Sequence, residues 1–563
     1  MKTRKLFAII LALTLTLALL AACKPADEQP ASPSASVSPS APVSSAPPIV
    51  QPPEPPPPSQ APEEKVAESI TYGFRNASWD LSPFKNNGSS GNTVWLLIYS
   101  NLLANPGFGT ALENMQYDMA ESVDISADKL TATVKLRDYI HDSKGNPIKA
   151  ADVVFSYQTA PNVSGVYAKL GNLITSIRAV DELTVEIKIG KNAQGTWESV
   201  LSYCPIISKS WYEGASDEER ANDPATTGAY RVVENTVGTS IHFTAVEDFW
   251  QKDELRTVYQ LVNAKNVRCV CITEDAMRLI ALENGELDCA YMENSSYPRF
   301  VNDPNYNIFP TIMFNPTTFI FNCFEGNIFS GNPALRKAVL HAIDFKQVAI
   351  ACSGELAFQS HDVAPSICGN YDPKWDAEPY FEYDLDLAKQ LLAEAGYSEN
   401  SGITIHFLCR SVGPQTAAVT VVQSCLMDIG IKVEIDPFDQ SLFDTYAVDP
   451  TKWDMIWYSA SMTTGFVTES WDWYFGAKDE KGTVGFVIDD KLQELLNTAK
   501  EKNDSASLNA FRDYYMDQGY GINAFMELSH QIAQSGIVGL PYSFLANLAL
   551  NAATFADDYV PAG

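Results

Sequence analysis

Apolar and polar residues alternate with period two in several short runs of this chain and with a helical period in others. Successive strand side chains face opposite sides, so strict alternation marks a half-buried strand. Residues 69–74 predict a first strand, 80–84 a turn around Pro83, and 94–103 an amphipathic helix. Residues 130–136 and 183–189 alternate strictly and predict two further strands. Within 332–350, Leu335, Ala338, Val339, Ala342 and Ile343 share one face of a predicted helix. Asp384 is placed to N-cap a helix carrying Leu387, Ala388, Leu391 and Leu392, with Gly396 at its C′ position. Residues 403–408 and 431–435 then read as strands flanking a helix over 415–429. Strand and helix alternate in sequence, which predicts an α/β fold.

The first residues follow a different pattern. Lys2, Arg4 and Lys5 precede an apolar run over 6–19, and Leu20-Ala21-Ala22-Cys23 closes it. A basic start, a short apolar stretch and small residues make a secretory signal. The run is shorter than the roughly 20 residues that a spanning helix needs. Because it ends on a cysteine, the segment resembles a bacterial lipoprotein signal. That resemblance implies cleavage before Cys23 and a diacylglycerol on its sulfur. From 24 to 62 the chain is mostly Pro, Ser, Ala and Val, a composition that cannot bury a core. At about 3.1 Å per residue, some forty such residues reach on the order of 100 Å. The expectation is a signal over 1–22, a lipidated Cys23 with its stalk over 23–65, and a folded body from 66.

Length and charge narrow the body further. Of 563 residues, 46% are hydrophobic, and single cores stop growing beyond about 250–300 residues, so two or more lobes are expected. A formal charge of −30 without a basic cluster excludes a nucleic-acid partner. It also leaves the acyl group as the expected membrane attachment. Nine cysteines remain beyond Cys23. Cys269 and Cys271 flank Val270, but no second pair completes a zinc set. They read as small buried hydrophobes, with Cys352 and Cys368 a candidate pair across a loop. No metal and no cofactor is expected. The sequence contains neither G-x-S-x-G nor H-E-x-x-H, and its six histidines are dispersed. With 69 Asp and Glu, counting does not exclude a glycosidase dyad. A secreted hydrolase is therefore the minor reading and a non-enzyme the major one.

Several blocks carry a family resemblance. Met119-Ala120-Glu121-Ser122 leads to Lys135-Leu136-Arg137-Asp138, Gly145-Asn146-Pro147-Ile148 and Ala150-Ala151-Asp152-Val153-Val154-Phe155-Ser156-Tyr157. Further on come Thr227-Gly228-Ala229-Tyr230-Arg231-Val232, Glu247-Asp248-Phe249-Trp250, Leu282 to Asp288, Ala334 to Asp344, and Tyr383 to Tyr397. In this order they resemble family 5 of the bacterial extracellular solute-binding proteins, the dipeptide, oligopeptide and nickel receptors of ABC importers. The resemblance spans about 69–525. Most blocks serve structure: Arg137, Asp138 and Asp152 are expected at a turn and a helix cap, Gly228 at a tight turn, and the Asp344 block in a core helix.

The resemblance implies a two-lobed, periplasmic-binding-protein-like clam with a hinge. Its first lobe would be discontinuous, over 66–105, 222–314 and 525–563, with an inserted subdomain over 106–221. The second lobe would span 315–524. The implied function is capture of a solute, most plausibly an oligopeptide, for a membrane permease with a cytoplasmic ATPase. A saccharide or a metal chelate is the alternative within the same fold. The expected state is a monomer, lipid-anchored on the outer face of the cytoplasmic membrane in a Gram-positive-type cell.

The stretch 453–465 resembles the cleft-lining segment of that family. Peptide binders commonly carry an acid there for the peptide α-amino group, whereas this chain has a neutral residue near Thr463. A missing charge-assisted bond is worth about 1.5–3 kcal/mol. What remains is aromatic and hydroxylic. The ligand contacts expected are Trp457, Tyr458, Ser459, Ser461, Thr463, Trp471 and Asp472 from the second lobe, and Asn76, Ser78 and Trp79 from the first.

Overall fold

The computed structural model describes residues 66–76, 80–85, 89–163, 165–193, 195–312, 316–410, 413–459, 465–477, 485–543 and 547–562. Cys23 and the expected signal and stalk lie outside these residues, as do Ser78, Trp79, Ser461 and Thr463.

One strand organises the body. Gly521–Gln534 is fourteen residues long and lies in a sheet of twelve strands. Its first half pairs antiparallel with Thr317–Phe321, which pairs in turn with Met455–Ser459. Thr404–Arg410 and Lys432–Phe438 extend that side in parallel. Its second half lies between Cys289–Tyr291 and Tyr306–Ile312. Beyond these, Ala67–Phe74 runs parallel to both Cys289–Tyr291 and Ala264–Cys271. Ser240–Ala245 and Tyr230–Thr236 complete that edge.

The sheet is shared, but the cores are not. One large apolar cluster gathers side chains from Phe319 to Phe525, and another gathers Ala67 to Cys289 with Ala533 to Tyr559. A second, four-stranded antiparallel sheet is built from Ala120–Ile125, Thr131–Leu136, Thr184–Ile189 and Ile174–Ala179. It has no core of its own: Val134, Leu136, Val185 and Ile187 join the cluster of Ile70 and Phe243.

Most predicted elements are present, with informative shifts. The helix expected at 94–103 is Ser89–Ile98, and Leu103–Ala104 is already a strand. The single helix expected at 332–350 is two, Pro333–Ala342 and Phe345–Ser353. Asp344 separates them because its carboxylate accepts the Gln347 amide at 3.0 Å, which makes it the cap of the second. Asp384 caps Leu385–Glu394 as expected, accepting the Leu387 amide at 2.9 Å. Gly228 lies at a bend, and close packing also requires it. A Cβ there would stand 2.5 Å from the Leu97 carbonyl oxygen, so the helix end and this loop could not meet. Cys352 and Cys368 are both free thiols, which overturns the candidate pairing.

Two buried carboxylates hold the cores from within. Asp362, wholly buried, accepts from Tyr515 Oη at 2.5 Å, Trp471 Nε1 at 3.0 Å and the Ala364 amide at 2.8 Å. Arg512 lies 3.5 Å away. Asp118, in the other core, accepts from the Asn101 amide at 3.0 Å and Gln260 Nε2 at 2.6 Å, while Arg137 Nε donates to its backbone carbonyl at 3.1 Å. Burial outweighs those bonds and pushes its pKa from 3.8 up to about 7. Between these values the folded chain keeps a proton that the unfolded chain releases. Its contribution to stability therefore declines as pH rises through that window and is level above it. Asp118→Asn should remove this slope. Urea midpoints at pH 5 and pH 8 should place the variant higher, relative to the parent chain, at pH 8 than at pH 5.

Candidate functional site

The body contains a cavity of about 520 Å3 where the long strand leaves one core for the other. That volume lies within the range of small-molecule sites. From the first core come Tyr291, Glu293, Asn294 and Ser295, which follow Cys289–Tyr291. From the second come Cys352, Ser353 and Gly354, at the end of helix Phe345–Ser353. The long strand itself supplies Glu527, Leu528 and Ser529. Three segments distant in sequence thus meet at one point.

Each wall is fixed by its own bonds. Gly354 adopts φ +57°, which lets the chain turn sharply out of the helix and present Ser353 to the cavity. The Ser353 hydroxyl donates to Glu527, and Cys352 Sγ lies 3.7 Å from the same oxygen. The backbone at Glu527 pairs with Ala357 just beyond that turn. On the facing wall Arg75 lies 3.4 Å from Glu293 and 4.7 Å above the Tyr291 ring. The Glu293 amide donates to Asp275 at 3.1 Å, and Asp275 pairs with buried Arg278 at 2.7 Å.

The cores also meet away from the cavity. Phe108 packs against the core of the second half, although Leu103 and Leu112 belong with the first. Beside it, Gly109 (φ +70°) touches Gly369 and Gly465 (φ +77°), and the Gly369 amide donates to the Gly465 carbonyl at 3.0 Å. A Cβ on Gly369 would lie 1.8 Å from the Gly109 carbonyl oxygen. Farther along, Gly195 stands against the Lys500 carbonyl oxygen. The two halves are therefore in contact at these points as well as along the long strand.

The residues expected from sequence are dispersed. Asn76 is exposed directly after Arg75, at the carboxyl end of Ala67–Phe74. Trp457 is buried between Phe407 and Phe525, with ring centroids at 5.7 and 5.5 Å, and its Nε1 has no partner among the described residues. Tyr458 is half-buried and stacks on Phe443, while Ser459 Oγ lies 3.3 Å from Thr317 Oγ1. Trp471 departs most from expectation. It is wholly buried against Trp375 and Phe511 and donates to Asp362, so it is a core residue. Asp472 pairs with Lys500 at 3.0 Å. The cavity residues were missed because no local spacing joins 291–295, 352–354 and 527–529. One signal was present: Glu527 is the only Asp, Glu, Lys or Arg in Gly521–Gln534.

Comparison with known proteins agrees with this architecture. A Brucella abortus relative, assigned by name to ABC-transporter peptide binding, is 25% identical over 389 residues, covering 66% of this chain and 70% of its own. Heme-binding protein A of Haemophilus influenzae is 26% identical over 336 residues, 55% of this chain and 58% of its own. Among solved structures, HbpA2 of Haemophilus parasuis superposes with a TM-score of 0.75 at 20% identity, covering 87% of this chain and all of that one. Helicobacter pylori DppA, solved with the peptide STSA, gives 0.65 at 19% identity, over 87% of this chain and 98% of that one. These likenesses establish the two-lobed binding-protein fold. The profile of the bacterial extracellular solute-binding proteins, family 5, middle part, matches residues 114–482, and with most of the chain so covered, this protein belongs to that family.

Proposed function

We propose that this protein is the solute-receiving component of an ABC importer, and that its cavity receives an oligopeptide between the two lobes. The observation that carries the reading is the position of the cavity. It is walled by both cores and floored by the one strand that belongs to both, so an occupant touches two bodies at their pivot. A ligand that contacts both lobes only in the closed arrangement shifts the population toward it. Cys23 and the stalk, as lipid anchor and tether, would keep the receptor beside its permease. The lining supports a peptide over a saccharide. Seven of the ten residues carry polar side-chain groups suited to backbone amides and carbonyls, while Tyr291 is the single aromatic face.

A thermal-shift screen against peptide, sugar and metal-chelate sets tests this reading. Peptides are expected to raise the melting temperature. Stabilisation by sugars or chelates alone, or turnover of any of them, would replace it. Gly369→Ala should separate closure from folding. Gly369 has no positive φ, and the three atoms nearest an added methyl all belong to the Gly109 backbone of the other side. The affinity for the best peptide should fall about tenfold or more, with the unliganded unfolding midpoint almost unchanged. Calorimetry and urea titration read the two effects. For the anchor, Cys23→Ala should move the protein from the membrane fraction to the medium, and retention in the membrane would refute lipidation.

A further inference from the structure

The charges around the cavity do not cancel. Glu293 is paired with Arg75, and Asp275 behind it with Arg278. Glu527 differs: its contacts are the Ser353 hydroxyl and the Cys352 thiol, and no cation among the described residues lies within ion-pair distance of it. The neighbouring His530 supplies no countercharge. It is buried beside Tyr297 with both ring nitrogens unpartnered, and burial lowers its pKa, which favours the neutral ring. Among the described residues, the cavity therefore holds one carboxylate without a cationic partner.

Its remaining polar groups also favour acceptance. Ser295, Ser529 and the Asn294 amide oxygen each offer a lone pair, and none of the ten lining residues is cationic. A primary ammonium group brings one positive charge and three donors, which matches a carboxylate ringed by neutral acceptors. An anionic or zwitterion-poor occupant would leave Glu527 uncompensated in a partly enclosed space, which is costly.

Resting on the proposed peptide-receiving role of this cavity, we infer that Glu527 is its specificity-determining residue. It selects ligands that present a primary ammonium group at the crossing strand. The attachment point differs from the neutral position near Thr463, so amine recognition has a carboxylate in this chain from the strand that joins the lobes. Because Ser353 of the second lobe orients that carboxylate, the ammonium is read at the joint between the lobes.

The test compares tri-alanine with N-acetyl-tri-alanine, and cadaverine as a simple amine, on the full chain and on Glu527→Gln. Glutamine keeps an oxygen for the Ser353 hydroxyl, so the unliganded melting temperature should stay close to that of the parent. Calorimetry should show tri-alanine and cadaverine bound by the parent and each weakened about tenfold or more by E527Q. Acetylation should weaken tri-alanine by a similar factor in the parent and have little further effect in the variant. Equal binding of free and acetylated tri-alanine, or undiminished binding to a folded E527Q, would overturn the assignment of Glu527 while leaving the peptide reading intact. Should E527Q not fold, the acetylation comparison in the parent decides alone. Failure of both tripeptides and of cadaverine to bind would overturn the assignment, and failure of the whole peptide set would remove the peptide reading with it.

Discussion

The backbone hydrogen bonds of Gly521–Gln534 constrain everything else in this molecule. A buried strand cannot release its N–H and C=O groups without losing a bond at each one. This strand satisfies Thr317–Phe321 with its first half and both Cys289–Tyr291 and Tyr306–Ile312 with its second. Pulling the lobes apart across it would break ladders in both. The strand's regular pairing is interrupted where its partners change. The register with Thr317–Phe321 slips between Thr317 and Thr318, next to that change. Bulges increase local twist and give up regular pairing, so rotation is easiest there.

This arrangement explains why the cavity stands where it does. At a pivot, a small rotation moves nearby groups little, and the groups there keep their geometry through opening and closing. Glu527, Ser529 and Tyr291 are positioned by strand pairing, whereas Ser353 is positioned by a helix end that belongs to the other body. Elsewhere the halves meet at Gly109, Gly369 and Gly465, whose backbones touch without side chains. A contact of that kind is sensitive to a single added methyl group. The buried network on Asp362 makes the second half move as one piece, since Trp471, Tyr515 and Arg512 come from two helices held to one carboxylate.

Period and capping made much of the fold legible in the sequence. The strands near 131–136 and 184–189 alternate because one face is buried, those at 404–410 and 432–438 stand out as short apolar runs flanking a helix, and Asp384 announces its helix as an N-cap. Where the reading slipped, a local rule was overridden. An apolar face continuous through Ile343 concealed the break at Asp344, because helical period is blind to a cap in mid-run. The candidate site was read poorly for a different reason. Aromatic residues such as Trp457 and Trp471 suit a cleft and a core equally well by composition. Only the position of Asp362, more than a hundred residues away in sequence, shows that Trp471 serves the core. The cavity is a product of three remote segments and left one trace, the isolated charge of Glu527 in an apolar strand.

The free thiols have a further consequence for a member of an extracellular family. Burial raises the pKa of Cys204, Cys269, Cys289, Cys352, Cys368 and Cys409, so these sulfurs stay protonated. Only a thiolate attacks a disulfide or an oxidant readily, so the packed chain is chemically quiet. The protection is as cooperative as the packing itself. Once the cores open, nine thiols become reactive together in surroundings that oxidise them, and mixed pairings block the way back. Oxidation in the opened state would make unfolding irreversible, and a chain that unfolds irreversibly is limited in lifetime by the rate at which it opens.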